Sequence, residues 1–141
     1  MTEKQNKAIE LHQKGYNCFQ SVACVFAGEL GAEETAVFRL GEGFGLGMGD
    51  MSQTCGAVTG AVACMGLLNS AGDTEAPNTT KRATMGLAST LTARFRAEHG
   101  SCICQVLKGK EKNTVIQDAF RGQELLIKAM NKVKNDENAG L

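Results

Sequence analysis

Six cysteines stand out in a chain of 141 residues that has one tyrosine, one proline and no tryptophan. A thiolate is a nucleophile, a soft metal ligand and a partner in disulfide exchange, so the setting of each thiol decides its chemistry. Cys55 follows a glycine-rich stretch and opens an apolar segment. If that segment is a helix, the unsatisfied N–H groups and the positive dipole end of its first turn favour a thiolate there. Cys18 follows Gly15-Tyr16-Asn17, whose asparagine can cap a second helix, so it shares that advantage. Cys102 and Cys104 flank Ile103 in His99-Gly100-Ser101-Cys102-Ile103-Cys104, where a break from helical backbone lets two sulfurs turn toward one point.

Cys24 and Cys64 read differently. By the 3.6-residue period, Cys24 lies about 240° around its helix from Cys18, and Cys64 about 180° from Cys55. Both are flanked by apolar residues and are expected to fill core space as small hydrophobes. His99 could join Cys102 and Cys104 in an H-x2-C-x-C set that zinc accepts together with Cys55 or Cys18. A lone histidine at a helix C-terminus more often meets the last carbonyls.

Other chemistries find no support. Gly41, Gly43, Gly45, Gly47 and Gly49 alternate with other residues, but no lysine or G-x-x-x-x-G-K-[ST] pattern accompanies them and no strand precedes them. Their expected use is close backbone approach to a buried group near Cys55. With only His12 and His99 available, a hydrolytic apparatus is not expected. Fifteen basic and fifteen acidic residues leave no net field to draw the chain onto nucleic acid or an anionic membrane. The charged first 14 residues lack the pattern of a secretory signal, so the expected compartment is the cytoplasm, where thiols stay reduced. The apolar run 55–68 is shorter than the roughly 20 residues of a bilayer span, so no membrane association is expected.

The elements that must position these thiols are helical. Thr2 with Gln5 forms a capping-box pattern ahead of a helix over 3–14 that Gly15 interrupts. Asn17 caps a second helix ending at Gly31, and 32–40 is a shorter one. Alternating glycines forfeit about 1 kcal/mol each in a helix, so 41–49 is expected to be a loop with special backbone angles. Asp50 or Ser52 is expected to cap a buried central helix reaching Asn69. A polar turn over 70–77 precedes a long helix over 78–98 whose face is Ala83, Leu87, Leu91 and Phe95 or Ala97. Gly100 ends it, 101–109 forms a cysteine-bearing corner, and 115–133 makes the last amphipathic helix through Ile116, Phe120, Leu125, Leu126 and Met130. Residues 134–141 read as a frayed tail. The expectation is an all-α, compact single-domain bundle of five or six helices spanning 1–141, with the glycine-rich loop before a central buried helix.

Three stretches carry a family resemblance: Gly15-Tyr16-Asn17-Cys18-Phe19-Gln20, the glycine-rich loop running into Cys55-Gly56-Ala57-x-x-Gly60, and Cys104-Gln105-Val106-Leu107-Lys108-Gly109. They resemble the C-GCAxxG-C-C family, which is described in terms of redox activity, over nearly the whole chain. The family pattern includes a further cysteine toward the C-terminus. No cysteine follows Cys104 here, and Cys102 stands as its substitute. The family is similar to the non-haem part of split-Soret cytochromes, which are associated with an iron-sulfur cluster. The resemblance therefore implies a cluster held by Cys18, Cys55 and Cys104, with Cys102 as fourth ligand, serving electron transfer or redox sensing with a redox partner protein.

The residues leave three alternatives open. A metal-free thiol would cycle between dithiol and disulfide, with Cys55 attacking and Cys18 or Cys104 resolving. A structural zinc site would use the same thiols. A helical interaction module would pack the Gly56 and Gly60 face against a second copy as a homodimer, the thiols being incidental.

Overall fold

Helix α1 (Glu3–Lys14) begins where Thr2 Oγ1 accepts the Gln5 N–H at 3.1 Å, and it stops at Gly15, whose φ of 122° cannot continue a helix. The expected capping box is half made. The Gln5 side chain donates instead to Glu124 Oε1 at 3.2 Å, and Thr2 Oγ1 meets the same carboxylate, so the start of α1 is fastened to a distant segment. α2 (Cys18–Phe26) has the full box: Asn17 accepts from the Gln20 N–H, and the Gln20 side chain accepts from the Asn17 N–H. In the computed structural model, which describes residues 2–107, 109 and 111–139 and the side chains of all these but 112 and 133–139, the remaining elements follow in order. They are α3 (Glu34–Leu40), a 3-10 turn (Glu42–Phe44), α4 (Gly45–Met48), α5 (Gly56–Asn69), α6 (Lys81–His99), α7 (Cys104–Leu107) and α8 (Lys112–Ala139).

The all-α class is as expected, with no strand among the described residues. The helix count exceeds the expected five or six, because α4 and α7 are single turns inside segments read as loop and corner. α2 stops before residues 27–31, which form turns, rather than running to Gly31. Asp50 and Ser52 bond each other in a local turn, so the N-cap of α5 is Cys55 itself. Ala83, Ala97 and Leu125 face solvent, and Ile127 takes the buried position on α8. Of the tail read as frayed, Gly140 and Leu141 lie outside the described residues, as do the side chains of 133–139.

α5 runs through the middle of the core, packed on α2, α6 and α8. The close approach that its small residues permit is made within this chain: a Cβ on Gly60 would lie 2.7 Å from the Phe19 carbonyl oxygen. Phe19, Val22 and Ala23 of α2 and Ala57, Val58, Ala61 and Met65 of α5 belong to one core, all essentially without solvent contact. Phe26 stacks on Phe120 of α8 at 5.3 Å between ring centres, closing the other side of α2. Among the described residues, no helix is long and apolar enough to cross a membrane.

Candidate functional site

Cys18 is the first residue of α2, and the two residues that cap this helix do a second job. Asn17 Nδ2 donates to the carbonyls of Gly41 and Glu42 at 3.0 and 3.1 Å, and Gln20 Nε2 donates to the Phe38 carbonyl at 2.8 Å. Each side chain uses its oxygen on the helix and its amide N–H groups on the chain entering the glycine-rich loop. The first turn of α2, with Cys18 in it, is thereby fixed to that loop.

The loop then winds left-handed. Leu46 (φ 54°, ψ 45°) and Gly47 (φ 52°, ψ 61°) are followed by Met48 and Gly49 at φ 70° and 91°, and Met51 also has a positive φ of 68°. Such backbone costs a side-chain-bearing residue about 1–2 kcal/mol, so the surroundings must hold it in place. The Gly47 carbonyl accepts the Gln53 N–H at 3.2 Å, and the Met51 carbonyl accepts the Gln105 N–H at 2.9 Å. Gly47 is pressed against Cys104: a Cβ there would stand 2.4 Å from the Cys104 Cβ and 3.4 Å from its Sγ.

A single antiparallel bridge, Thr54 to Ile103, joins the approach to α5 with the cysteine-bearing corner. Its two hydrogen bonds are Cys55 N–H to the Cys102 carbonyl at 2.7 Å and Cys104 N–H to the Gln53 carbonyl at 2.9 Å. Cys55 caps α5 through its backbone, its carbonyl accepting the N–H groups of Val58 and Thr59. Gly56, the next residue, lies against α2: a Cβ on it would be 3.3 Å from the Cys18 Cβ and 3.0 Å from the Phe44 carbonyl oxygen. Segments distant in sequence thus bring Cys18, Cys55 and Cys104 to one region, where they are 7%, 3% and 5% exposed.

Cys102 contributes its carbonyl to this arrangement, whereas its half-buried sulfur donates to the Thr92 carbonyl of α6 at 3.6 Å. Burial pushes the Cys102 thiol up, with Arg96 acting in the opposite sense. His99 does not join the cysteines in an H-x2-C-x-C set. Its Nε2 is 2.9 Å from Asp118 Oδ2 of α8, and its ring lies 4.5 Å from that of Phe95. Cys24 and Cys64 are core thiols: burial pushes Cys24 up to about 11, aided by Glu34, and Cys64 up to about 12, aided by Cys24. Cys64 Sγ also donates to the Ala23 carbonyl at 3.7 Å.

Residues 16–135, from the turn ahead of Cys18 into α8, match one family of proteins. The chain belongs to the C_GCAxxG_C_C family. That family carries the description "Putative redox-active protein (C_GCAxxG_C_C)". No curated protein and no solved structure matched the chain. Within this C_GCAxxG_C_C protein, the cysteines of the three motif stretches are those gathered beside the glycine-rich loop. Asn17, Gln20, Gly47 and Gln53 position them without being evident as site residues in the sequence. The available signals were Asn17 as a helix cap, which leaves its outward amide group unassigned, and the alternating glycines, which predict close backbone approach to a buried group.

The region is open to solvent beside Cys18. A cleft of about 320 Å³ is lined by His12, Asn17, Cys18, Glu42, Gly45 and Leu46. Leu46 and the nearby Met48 are each about half exposed, so the left-handed turn forms an apolar shoulder to this cleft.

Proposed function

We propose that this protein is an electron-transfer or redox-sensing module in which the thiolates of Cys18, Cys55 and Cys104 hold an iron-sulfur cluster, with Cys102 as the fourth ligand. The observation that carries this reading is the burial of three cysteines from distant segments around one left-handed loop. Cysteine thiolates are the usual ligands of iron-sulfur clusters, so the donor set fits the group. A cluster bound there would supply one-electron oxidation and reduction. The chain's own part is to hold and shield: the Thr54–Ile103 bridge sets Cys55 beside the corner, and Asn17 and Gln20 hold the loop. Phe19 and Phe44 stack at 4.8 Å beside Cys18 and Gly56 and add apolar bulk there. Electrons can pass through such a shell to a redox partner protein, whereas thiol exchange requires a second sulfur to reach the thiolate.

Protein purified without oxygen should contain iron and acid-labile sulfide and show visible charge-transfer absorption that Cys55→Ala abolishes. Colourless, iron-free protein after anaerobic reconstitution sinks the proposal, and zinc in its place supports a structural metal site. A second reading, a metal-free dithiol, draws on the cleft at Cys18, which gives a partner sulfur a route in. In that case metal-free protein should alkylate Cys18 far faster than Cys24 or Cys64.

A further inference from the structure

We propose that Glu98, His99 and Asp118 form a binding site for a single divalent transition-metal ion, best suited to Zn²⁺, where the end of α6 meets α8. This site contains no cysteine and is independent of the redox reading above. One donor atom from each of the three residues lies within 4.8 Å of the other two. His99 Nε2 and Asp118 Oδ2 are already 2.9 Å apart. Two ligands at 2.0–2.2 Å from a tetrahedral zinc ion stand about 3.3–3.6 Å from each other, so the pair has to open by roughly half an ångström. An imidazole with two carboxylates is a donor set that zinc accepts, leaving a fourth position for water.

The surroundings suit an ion. The His99 side chain is 8% exposed and its ring packs against Phe95, so the imidazole is held with its Nε2 toward α8. A cavity of about 10 Å³, lined by Glu98, Asp118 and Arg94 among largely apolar neighbours, lies beside these ligands and has room for about one water. Arg94 and Arg121 approach one Glu98 oxygen at 3.7 and 4.0 Å. Both are well exposed, so their hold on Glu98 is weak and screened. A metal ion bound there would replace the direct His99–Asp118 contact.

Calorimetric titration of the full-length protein with Zn²⁺ should detect this site, and His99→Gln should weaken its binding at least about tenfold, as removal of a metal-orienting group does elsewhere. Glu98→Gln, at an exposed position with no role in the core, should also weaken it and decides the matter if His99→Gln does not fold. Zn²⁺ should raise the thermal midpoint of the wild type more than that of either variant. Co²⁺ at this site should add visible d–d bands without a sulfur-to-metal charge-transfer band, which sets it apart from any binding at the cysteines. Zinc affinity unchanged in a folded variant, cobalt absorption that is wholly of the thiolate kind, or no binding at all overturns the proposal.

Discussion

Gly47 and Cys104 are in contact so close that a methyl group cannot come between them, since a Cβ on Gly47 would lie 2.4 Å from the Cys104 Cβ. The left-handed turn and the cysteine-bearing corner are therefore fitted to each other, and each holds the other's geometry.

Gly47→Ala should destabilise the fold by about 2 kcal/mol or more, combining the left-handed backbone penalty with overpacking against Cys104. Gly43→Ala, where a Cβ would meet nothing within 4 Å, is the control and should change little. Urea unfolding of both variants checks this, and equal midpoints would show that the contact is soft.

Asn17 separates capping from loop anchoring. Asn17→Ala should cost about 1 kcal/mol for the lost N-cap alone. Asn17→Asp keeps an equally good cap but turns a carboxylate oxygen toward the Gly41 and Glu42 carbonyls, 3.0 and 3.1 Å from the present amide nitrogen. It should therefore destabilise at least as much as alanine and speed hydrogen exchange across residues 41–49. Wild-type stability in Asn17→Asp would mean that the amide anchor contributes nothing.

The two core thiols predict an alkaline limit to stability. Burial raises Cys24 from 9.0 to about 11 and Cys64 from 9.0 to about 12, so between these values the unfolded chain loses protons that the folded chain retains. The stabilisation is complete below about pH 9 and drains away as pH rises toward 11 and 12. Denaturation midpoints of the wild type should fall over that window, and the fall should be shallower in Cys24→Ala. At pH 8 both thiols should resist alkylation until the protein unfolds.

Cys102 and Cys55 should not be equivalent in the proposed cluster site. The Cys102 sulfur already donates to the Thr92 carbonyl and would have to leave it to act as a ligand. Cys102→Ala should lower iron content less than Cys55→Ala, as measured by iron and sulfide analysis of reconstituted protein. The reverse order would make Cys102 the principal ligand of the corner.

The parts legible in the sequence are those governed by neighbours along the chain. The Asn17 cap, the stops at Gly15 and Gly100, and the apolar run of α5 all follow from residues within one or two turns of each other. Element limits were less legible where packing overrides propensity. α2 ends before Gly31 because residues 27–31 turn toward α3, and Leu125 faces water because Ile127 takes the inward position on α8. The sequence drew Cys102 and His99 toward the same site because they are close along the chain. In space the Cys102 sulfur meets α6 and the His99 ring meets α8, since the C-cap at Gly100 reverses the chain between them.

By itself, the sequence determined that this is a helical protein with thiols at helix starts and in a corner, because capping, glycine and helical period act locally. Only the tertiary structure decided that Cys18, Cys55 and Cys104 share one buried region, that a left-handed turn is pressed against Cys104, and that His99 pairs with Asp118. These depend on the Thr54–Ile103 bridge and on contacts between distant segments, which are settled by the packing of the whole core. No spacing rule within one segment encodes them.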